Sequence, residues 1–157
     1  MGYKGGVRIH AYAAFAGLSL LLGLAGCGEG DEQSSPWKGP PDAGAEGRIP
    51  IESFNAYAQD VDELWEGSAA MAAAQFLRLD RYQSARTRIE AEAGPEGTGP
   101  ELVTVTLDGL ADDSIRALRW MLTFSEENDV YTLTGARLVQ RCQRDRGHQD
   151  FTPRPCV

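Results

Sequence analysis

Stretches of alternating residues in the second half of the chain constrain the fold most. Valine, threonine and leucine alternate through "ELVTVTLDG" (101–109), and Leu118, Trp120, Leu122 and Phe124 recur at every second position. The segment "VYTLTGARLVQRC" (130–142) reads as one more strand, and "DD" (112–113) and "EEND" (126–129) separate the three. A period of two between short turns predicts antiparallel strands that follow one another as a meander.

A further strand is predicted before these three. In "ARTRIEAEA" (85–93), small or apolar residues alternate with Arg86, Arg88, Glu90 and Glu92, so the charged side chains would share an outer face. The alternative is a helix, because alanine, arginine and glutamate favour helices and each arginine lies four residues before a glutamate. We favour the strand, which "GPEGTGP" (94–100) would end in a turn.

Two helices are predicted before the strands. The first would have Ser53 as its N-cap and one apolar face formed by Phe54, Tyr57, Val61 and Leu64, and Gly67 would end it. The second, in "SAAMAAAQFLRLD" (68–80), would be capped by Ser68 and turn three side chains to the core: Met71, Phe76 and either Leu77 or Leu79.

Helices followed by a run of strands indicate an α+β domain, with the N-terminal helices packed on one face of a four-stranded antiparallel meander. We therefore expect Trp120, Leu122 and Phe124 to be buried against the helix that carries Phe76. This order of elements resembles that of the cystatin-like and NTF2-like rolls. The resemblance implies a curved sheet wrapped around a helix, often with an enclosed pocket.

The N-terminus has the features of a secretory leader. Lys4 and Arg8 precede "AYAAFAGLSLLLGLAG" (11–26), an apolar run shorter than the roughly 20 residues that span a bilayer as a helix. The segment therefore favours a signal peptide that is removed over a permanent membrane anchor.

The end of the leader, "LAGC" (24–27), resembles the lipobox of bacterial lipoproteins. The resemblance implies cleavage before Cys27 and a lipid on its sulfur and new N-terminus, so that the membrane is a partner through the lipid anchor. Position 28 is Gly28 and not aspartate, which favours the outer membrane if the organism is diderm. The alternative is an ordinary leader with a chance cysteine at its end.

The predicted organisation has three parts. A signal peptide (1–26) is followed by an acidic tether rich in glycine, proline and serine (27–50), and then by a single α+β domain (51–157). Trp37 is the one large apolar side chain of the predicted tether. It either docks on the domain or stays exposed.

Charge excludes one class of partner. The formal net charge of −8 becomes −10 when Lys4 and Arg8 leave with the signal peptide, so nucleic acid is not an expected partner. The charge is uneven, because the segment 141–157 carries four arginines and two aspartates. The C-terminal tail is thus a cationic region on an acidic protein.

That tail, "RCQRDRGHQDFTPRPC" (141–156), contains the two remaining cysteines. Cys142 and Cys156 form an even pair once Cys27 is lipidated, which predicts a disulfide-closed loop in an oxidising compartment. Phe151 is the expected inward anchor of this loop. The tail is also similar to small exported bacterial domains, a resemblance that implies no activity.

The chain contains no nucleophile elbow, zinc-protease motif, P-loop or dinucleotide fingerprint. His148 is the one histidine after the leader, and with Asp145 and Asp150 it would make a weak metal site at best. We therefore predict no catalytic residue, no cofactor and no metal, and we expect His148 to form hydrogen bonds within the loop. Arg144, Arg146 and His148 are the candidate contact residues for an anionic partner. The alternative is that the arginines of the loop pair with the domain's own carboxylates, for instance Asp145, Asp150 or the hairpin acids.

These observations favour a lipid-anchored cell-envelope protein with a small, non-catalytic binding domain on the extracytoplasmic side. Its partner would be an envelope protein or polymer. The alternatives are a carrier of a small apolar ligand in a roll-type pocket, which needs a closed apolar cavity, and an enzyme on the same scaffold, which needs titratable groups converging in a cavity.

Lipidation is testable in the cell. We expect Cys27→Ser to leave an uncleaved precursor that takes up no labelled palmitate, because the thiol is the site of lipid attachment in the lipobox. Metabolic labelling and immunoblotting measure both effects, with Cys142→Ser, which keeps the lipobox, as the control. A Cys27→Ser protein that is still processed and labelled would contradict the lipobox interpretation.

Overall fold

The computed structural model describes residues 37–94 and 99–157, so Cys27 and the predicted signal peptide lie outside the described residues. The helices are α1 (Glu52–Gln59) and α2 (Ala69–Leu77), and the strands are β1 (Ser84–Glu92), β2 (Glu101–Leu110), β3 (Ile115–Glu127) and β4 (Val130–Cys142). Three 3-10 helices cover Ala45–Gly47, Leu64–Gly67 and Leu79–Arg81. Within the described residues, no helix has both the length and the apolar character needed to cross a membrane.

The four strands form one antiparallel sheet in the order β1-β2-β3-β4, with two helices before it. The predicted α+β class and the predicted meander are therefore confirmed. The segment 84–92 is a strand, so the helical alternative for this segment is excluded.

The two faces of the sheet differ sharply. Trp120 of β3 pairs with Val105 of β2 and Leu138 of β4, which places these side chains on the face that the helices cover, the core face. Trp120, Leu122 and Phe124 are buried in the same cluster as Phe76, as predicted. The charged residues of β1 lie on the opposite face, the outer face: Arg86, Arg88, Glu90 and Glu92.

The first helix is shorter than its apolar spacing predicts. α1 begins at Glu52 with Ile51 as its N-cap, so the prediction of Ser53 as the cap is wrong. It ends at Gln59, and Leu64 stands 93% exposed in the following 3-10 helix. That 3-10 helix starts independently because Glu63 and Glu66 form a capping box, with the backbone N–H of Glu63 donating to Glu66 Oε2 at 3.1 Å.

The second helix has the predicted cap but not all of the predicted face. The backbone N–H of Met71 donates to Ser68 Oγ at 3.5 Å. Met71 itself is 52% exposed, so its assignment to the core is wrong. The buried face of α2 is formed largely by alanines at helical spacing, and Met71 lies outside it. The buried residues of α2 are Ala69, Ala72, Ala73, Phe76 and Leu77.

The described part of the predicted tether, residues 37–50, packs on the domain. Trp37 is 8% exposed, its Nε1–H donates to the carbonyl oxygen of Phe76 at 2.8 Å, and its ring lies against Phe54 and Phe76. Arg78, just after α2, donates from Nη1 to the carbonyl oxygen of Trp37 at 2.6 Å. The same guanidinium forms two hydrogen bonds with Asp80, which hold the pKa of that carboxyl below its usual range.

The segment after Trp37 also covers one edge of the sheet. Arg48 bridges to Arg137 of β4, and the backbone N–H of Ile49 donates to the carbonyl oxygen of Ala136 at 3.0 Å. Gly47 has φ 77° and lies directly against the carbonyl of Leu138, where a Cβ would collide with the backbone. Only glycine allows the chain to approach β4 so closely.

Trp37 should therefore contribute to stability although it precedes both helices. We expect Trp37→Ala to lower the free energy of unfolding by about 3–5 kcal/mol, as buried tryptophan truncations do. Urea denaturation measures the loss, and Leu64→Ala, at an exposed position, should stay within about 0.5 kcal/mol of wild type. A loss below about 1 kcal/mol for Trp37→Ala would mean that this segment does not depend on the indole.

Candidate functional site

The C-terminal loop is closed as predicted by a disulfide between Cys142 and Cys156, with 5.5 Å between their Cα atoms. Backbone hydrogen bonds at several positions along the loop also hold it closed. The N–H of Cys142 donates to the carbonyl oxygen of His148 at 3.1 Å, and that of Val157 donates to Arg146 at 3.0 Å. Two backbone hydrogen bonds join Gln140 to Thr152 at 2.8 and 3.0 Å. The loop thus continues the sheet beyond β4.

His148 is used inside the loop. Its Nδ1 lies 2.9 Å from the carbonyl oxygen of Asp150, and its Nε2 lies 2.8 Å from that of Arg154. Both polar atoms of the ring therefore face loop carbonyls. This is the local hydrogen bonding expected from the sequence, and it occupies the two atoms with which His148 would contact a partner.

The potential metal ligands that converge here are not the predicted set. The ligand atoms of Cys142, His148 and Cys156 lie within 4.8 Å of one another, whereas Asp145 and Asp150 do not join this cluster of the described residues. Because the two sulfurs are bonded to each other, neither is a thiolate that could bind a metal. With its two cysteines joined by a disulfide, this cluster closes the loop.

Arg144 and Arg146 are exposed at the tip of the loop. Within residues 37–94 and 99–157, neither guanidinium lies within ion-pair distance of a carboxylate. For these two arginines, pairing with the domain's own carboxylates is therefore not what the described residues show, whereas Arg141 of the same loop does pair with Asp108. Both cations face solvent on a rigid frame.

Phe151 anchors the loop, but on the outer face of the sheet. The guanidinium carbon of Arg119 lies 4.0 Å from its ring centroid and that of Arg141 lies 5.1 Å away, both within cation–π range. The ring is half-buried and does not belong to the main core cluster. The anchor was predicted, and the surface that it contacts was not.

Phe151 forms one wall of a shallow outer-face pocket of about 200 Å^3. Arg119 Nε donates to Thr106 Oγ1 at 3.1 Å, and Arg141 Nη2 donates to Asp108 Oδ1 at 3.1 Å. The residues that line this outer-face pocket are Arg86, Arg88, Glu90, Thr106, Asp108, Arg119, Arg141 and Phe151. Four guanidinium groups against two carboxylates leave the pocket cationic.

The electrostatics of the pocket are set by Asp108 and its neighbours. Burial is the largest single influence and would raise the pKa of the Asp108 carboxyl, but the charge and hydrogen bond of Arg141, the backbone N–H of Gly109 and the charge of Arg116 together lower it. Asp108 therefore stays ionised and fixes Arg141 in place. The Nε–H of Arg141 is buried and has no acceptor among the described residues, which is a free-energy cost that the other contacts of this guanidinium offset.

Sequence reasoning did not find this pocket. It placed Arg86 and Arg88 on the outer face of β1, but the other two arginines come from β3 and β4. The register brings them together, because Arg88 pairs with Thr106 and Thr106 pairs with Arg119. The sequence does contain a signal for the pocket, because polar side chains at every second position of successive strands share one face of the sheet. Which of these side chains are neighbours follows only from the strand pairing.

No family model, curated protein or solved structure matches the chain.

The disulfide should stabilise the loop measurably. We expect Cys142→Ser together with Cys156→Ser to lower the free energy of unfolding by about 3 kcal/mol, the chain-entropy value for a loop of this size. Thermal or urea unfolding checks this, and reductant should lower the wild-type melting temperature without changing that of the double variant. A loss below about 1 kcal/mol would show that the hydrogen bonds hold the loop without the disulfide.

Proposed function

We propose that the protein is a lipid-anchored cell-envelope protein whose domain binds an anionic partner without catalysing a reaction. The contact surface is the tip of the disulfide-closed loop, with Arg144 and Arg146 as the binding residues. One observation carries the proposal: these two exposed arginines stand on a rigid loop, and no described carboxylate pairs with either. In a protein with many more acids than bases, cations left unpaired are available for another molecule.

The chemistry of guanidinium groups suggests what that partner presents. Arginine forms short, often bidentate hydrogen bonds with carboxylate and phosphate groups, and these bonds are stronger than those between neutral groups. The acidic remainder of the domain repels polyanions at long range, so binding depends on direct contact at the loop. The partner is therefore an envelope protein or polymer with accessible acidic groups.

The outer-face pocket supports this function as a second contact. Phe151 belongs to the loop and packs on Arg119 and Arg141, so the loop and the cationic wall of the pocket form one connected structure. An acidic group that reaches the pocket would meet a wall with more guanidinium groups than carboxylates. The pocket is too shallow to enclose a ligand, which fits a contact surface better than a carrier.

The packing of the interior also favours a binding module over a carrier. We propose that the domain is a cystatin-like or NTF2-like roll in which side chains fill the space between helices and sheet. Phe54, Phe76 and Trp120 are each at most 2% exposed and occupy that space. Two clefts beside this packing are open to the surface: one of about 660 Å^3 next to Pro153 and Gly44, and one of about 260 Å^3 between α1 and β4, next to Phe54 and Leu133.

The proposed location rests on Cys27 and on the disulfide. The lipobox-like "LAGC" would attach the protein to the extracytoplasmic side of the membrane, in the outer membrane of a diderm cell because of Gly28. A disulfide between Cys142 and Cys156 persists in an oxidising compartment, which is consistent with that side.

The binding residues can be tested with defined polyanions. We expect the mature protein to bind fluorescent poly-L-glutamate or polyphosphate at about 0.15 M salt, where the long-range repulsion is screened. Arg144→Ala with Arg146→Ala should weaken binding about tenfold or more, because charge-assisted contacts are lost. The melting temperature should stay unchanged, since neither side chain forms an ion pair with a residue that the structure describes. Fluorescence anisotropy at two salt concentrations and a thermal scan provide both measurements.

The matched control removes the same charge elsewhere. Arg48→Ala with Arg81→Ala, both at exposed positions, should bind as wild type does. Equal losses in both double variants would reduce the effect to net charge. Binding that is unchanged in the loop variant would overturn the proposed contact surface.

A further inference from the structure

The two edges of the sheet differ in whether other described segments of the chain cover them. On the β4 side, Arg48 and Thr152 bridge to the strand and cover its outer edge. On the β1 side, no described residue forms such a bridge, and every residue from Ala85 to Glu92 is exposed. A regular edge strand of this length presents a row of backbone N–H and C=O groups that can pair with another strand.

The edge strand lacks most of the features that prevent such pairing. β1 contains no proline, and its register with β2 runs without a bulge from Ser84 to Glu92. Its outer face carries charges, which often protect an edge. Their order is unusual, however, because Arg86 and Arg88 occupy the first half of the face and Glu90 and Glu92 the second half.

This order is self-complementary. When two copies of β1 lie antiparallel with Ile89 opposite Ile89, Arg88 of each copy lies opposite Glu90 of the other, and Arg86 lies opposite Glu92. Directly opposed side chains of an antiparallel pair share a face and are close enough for opposite charges to attract. All four charges of each strand are then matched across the pair.

Neighbouring registers lose this match. Centring the pair one residue earlier places Arg88 opposite Arg88, and centring it one residue later places Glu90 opposite Glu90. A parallel arrangement in register places every charge opposite its own copy. Like charges directly opposite each other destabilise a strand pair, so the charges specify one register.

The other face of β1 contributes an apolar contact. Ile89 points to the core face, and 41% of its surface is exposed. In the matched register, Ile89 meets its own copy at the two-fold axis, flanked by the small side chains of Thr87 and Ala91. Within one copy, Arg88 has only a loose contact with Glu90 at 3.7 Å, so both charges are available to a second copy.

We propose that two copies of the protein associate through β1, antiparallel and centred on Ile89, so that their sheets join into one continuous sheet. The interface is isologous, as in most homodimers. It does not depend on the proposed function, which rests on Arg144 and Arg146 in the C-terminal loop. Arg86 and Arg88 also line the outer-face pocket, so association would reduce the positive charge of that wall.

The charge pattern permits a complementation experiment. An acidic variant carries Arg86→Glu with Arg88→Glu, and a basic variant carries Glu90→Arg with Glu92→Arg. Each places like charges opposite each other and should weaken self-association about tenfold or more. The two variants together should associate as well as wild type, because every opposed pair is again of opposite sign. All four substitutions in one chain should also restore self-association.

The measurement uses the full mature protein in detergent, with two differently tagged copies expressed together, and sedimentation equilibrium of the purified wild type. Capture of one tag with the other should occur for wild type, for acidic with basic, and for the four-substitution chain. It should fail for acidic with acidic and for basic with basic, while thermal scans show that each variant is folded. Glu126→Arg with Glu127→Arg, on the exposed β3–β4 hairpin, has the charge change of the basic variant and should associate as wild type does.

A wild-type protein that stays monomeric would overturn the proposal. So would undiminished self-association of either charge variant, or a failure of the acidic and basic variants to associate with each other. The result expected for the proposal is loss in each variant alone and recovery in the mixture. An effect of net charge alone would not give this pattern. The hairpin variant tests for such an effect, because it has the same charge change as the basic variant at a site away from β1.

Discussion

A four-stranded meander has two faces and two edges, and residues 37–94 and 99–157 provide two short α-helices with which to cover them. The helices cover the core face over β2 and β3, where Val105, Trp120 and Phe76 meet. Burial of this alternating apolar face is the main source of stability, because the hydrophobic contribution grows with the apolar area removed from water. Every other surface of the sheet has to be covered by segments without regular structure or left to solvent.

Two such segments cover most of what the helices leave open. The segment from Trp37 to Ile49 crosses the helical layer and then runs along the edge of β4, held by the indole at one end and by Gly47 near the other. The C-terminal loop returns over the outer face, where Phe151 packs on arginines of β3 and β4. A disulfide suits this second segment, since its few apolar contacts would not hold an open chain against the entropy of its free state.

The parts of the fold that could be predicted are those with a strong local signal. Strand alternation, the acidic turns and the cap at Ser68 each depend on neighbouring residues, and the structure confirms them. The prediction for α2 is wrong at Met71 because it assigns the most hydrophobic side chains to the core. The buried face is instead rich in alanines, whose small side chains allow the helix to lie close to the sheet. Trp37 docks far along the chain, on Phe76, and composition indicated only a tether. The loop was predictable from its two cysteines, whereas the outer-face pocket depends on the strand register.

The ion pairs distinguish arginines that hold the fold together from arginines that could contact another molecule. Arg78 and Arg141 each donate to an aspartate from a side chain that is less than one third exposed, and each fixes a segment of the chain. Such pairs hold a fold together because the surrounding protein limits competition from water. In the part of the chain that the structure describes, the arginines of the loop tip have no such partner, and Arg88 on β1 has only a distant one. Exposed charges contribute little to stability, so their placement is not explained by folding. The loop tip and the β1 edge are therefore the two surfaces at which the charge pattern of this protein is better explained by contact with another molecule.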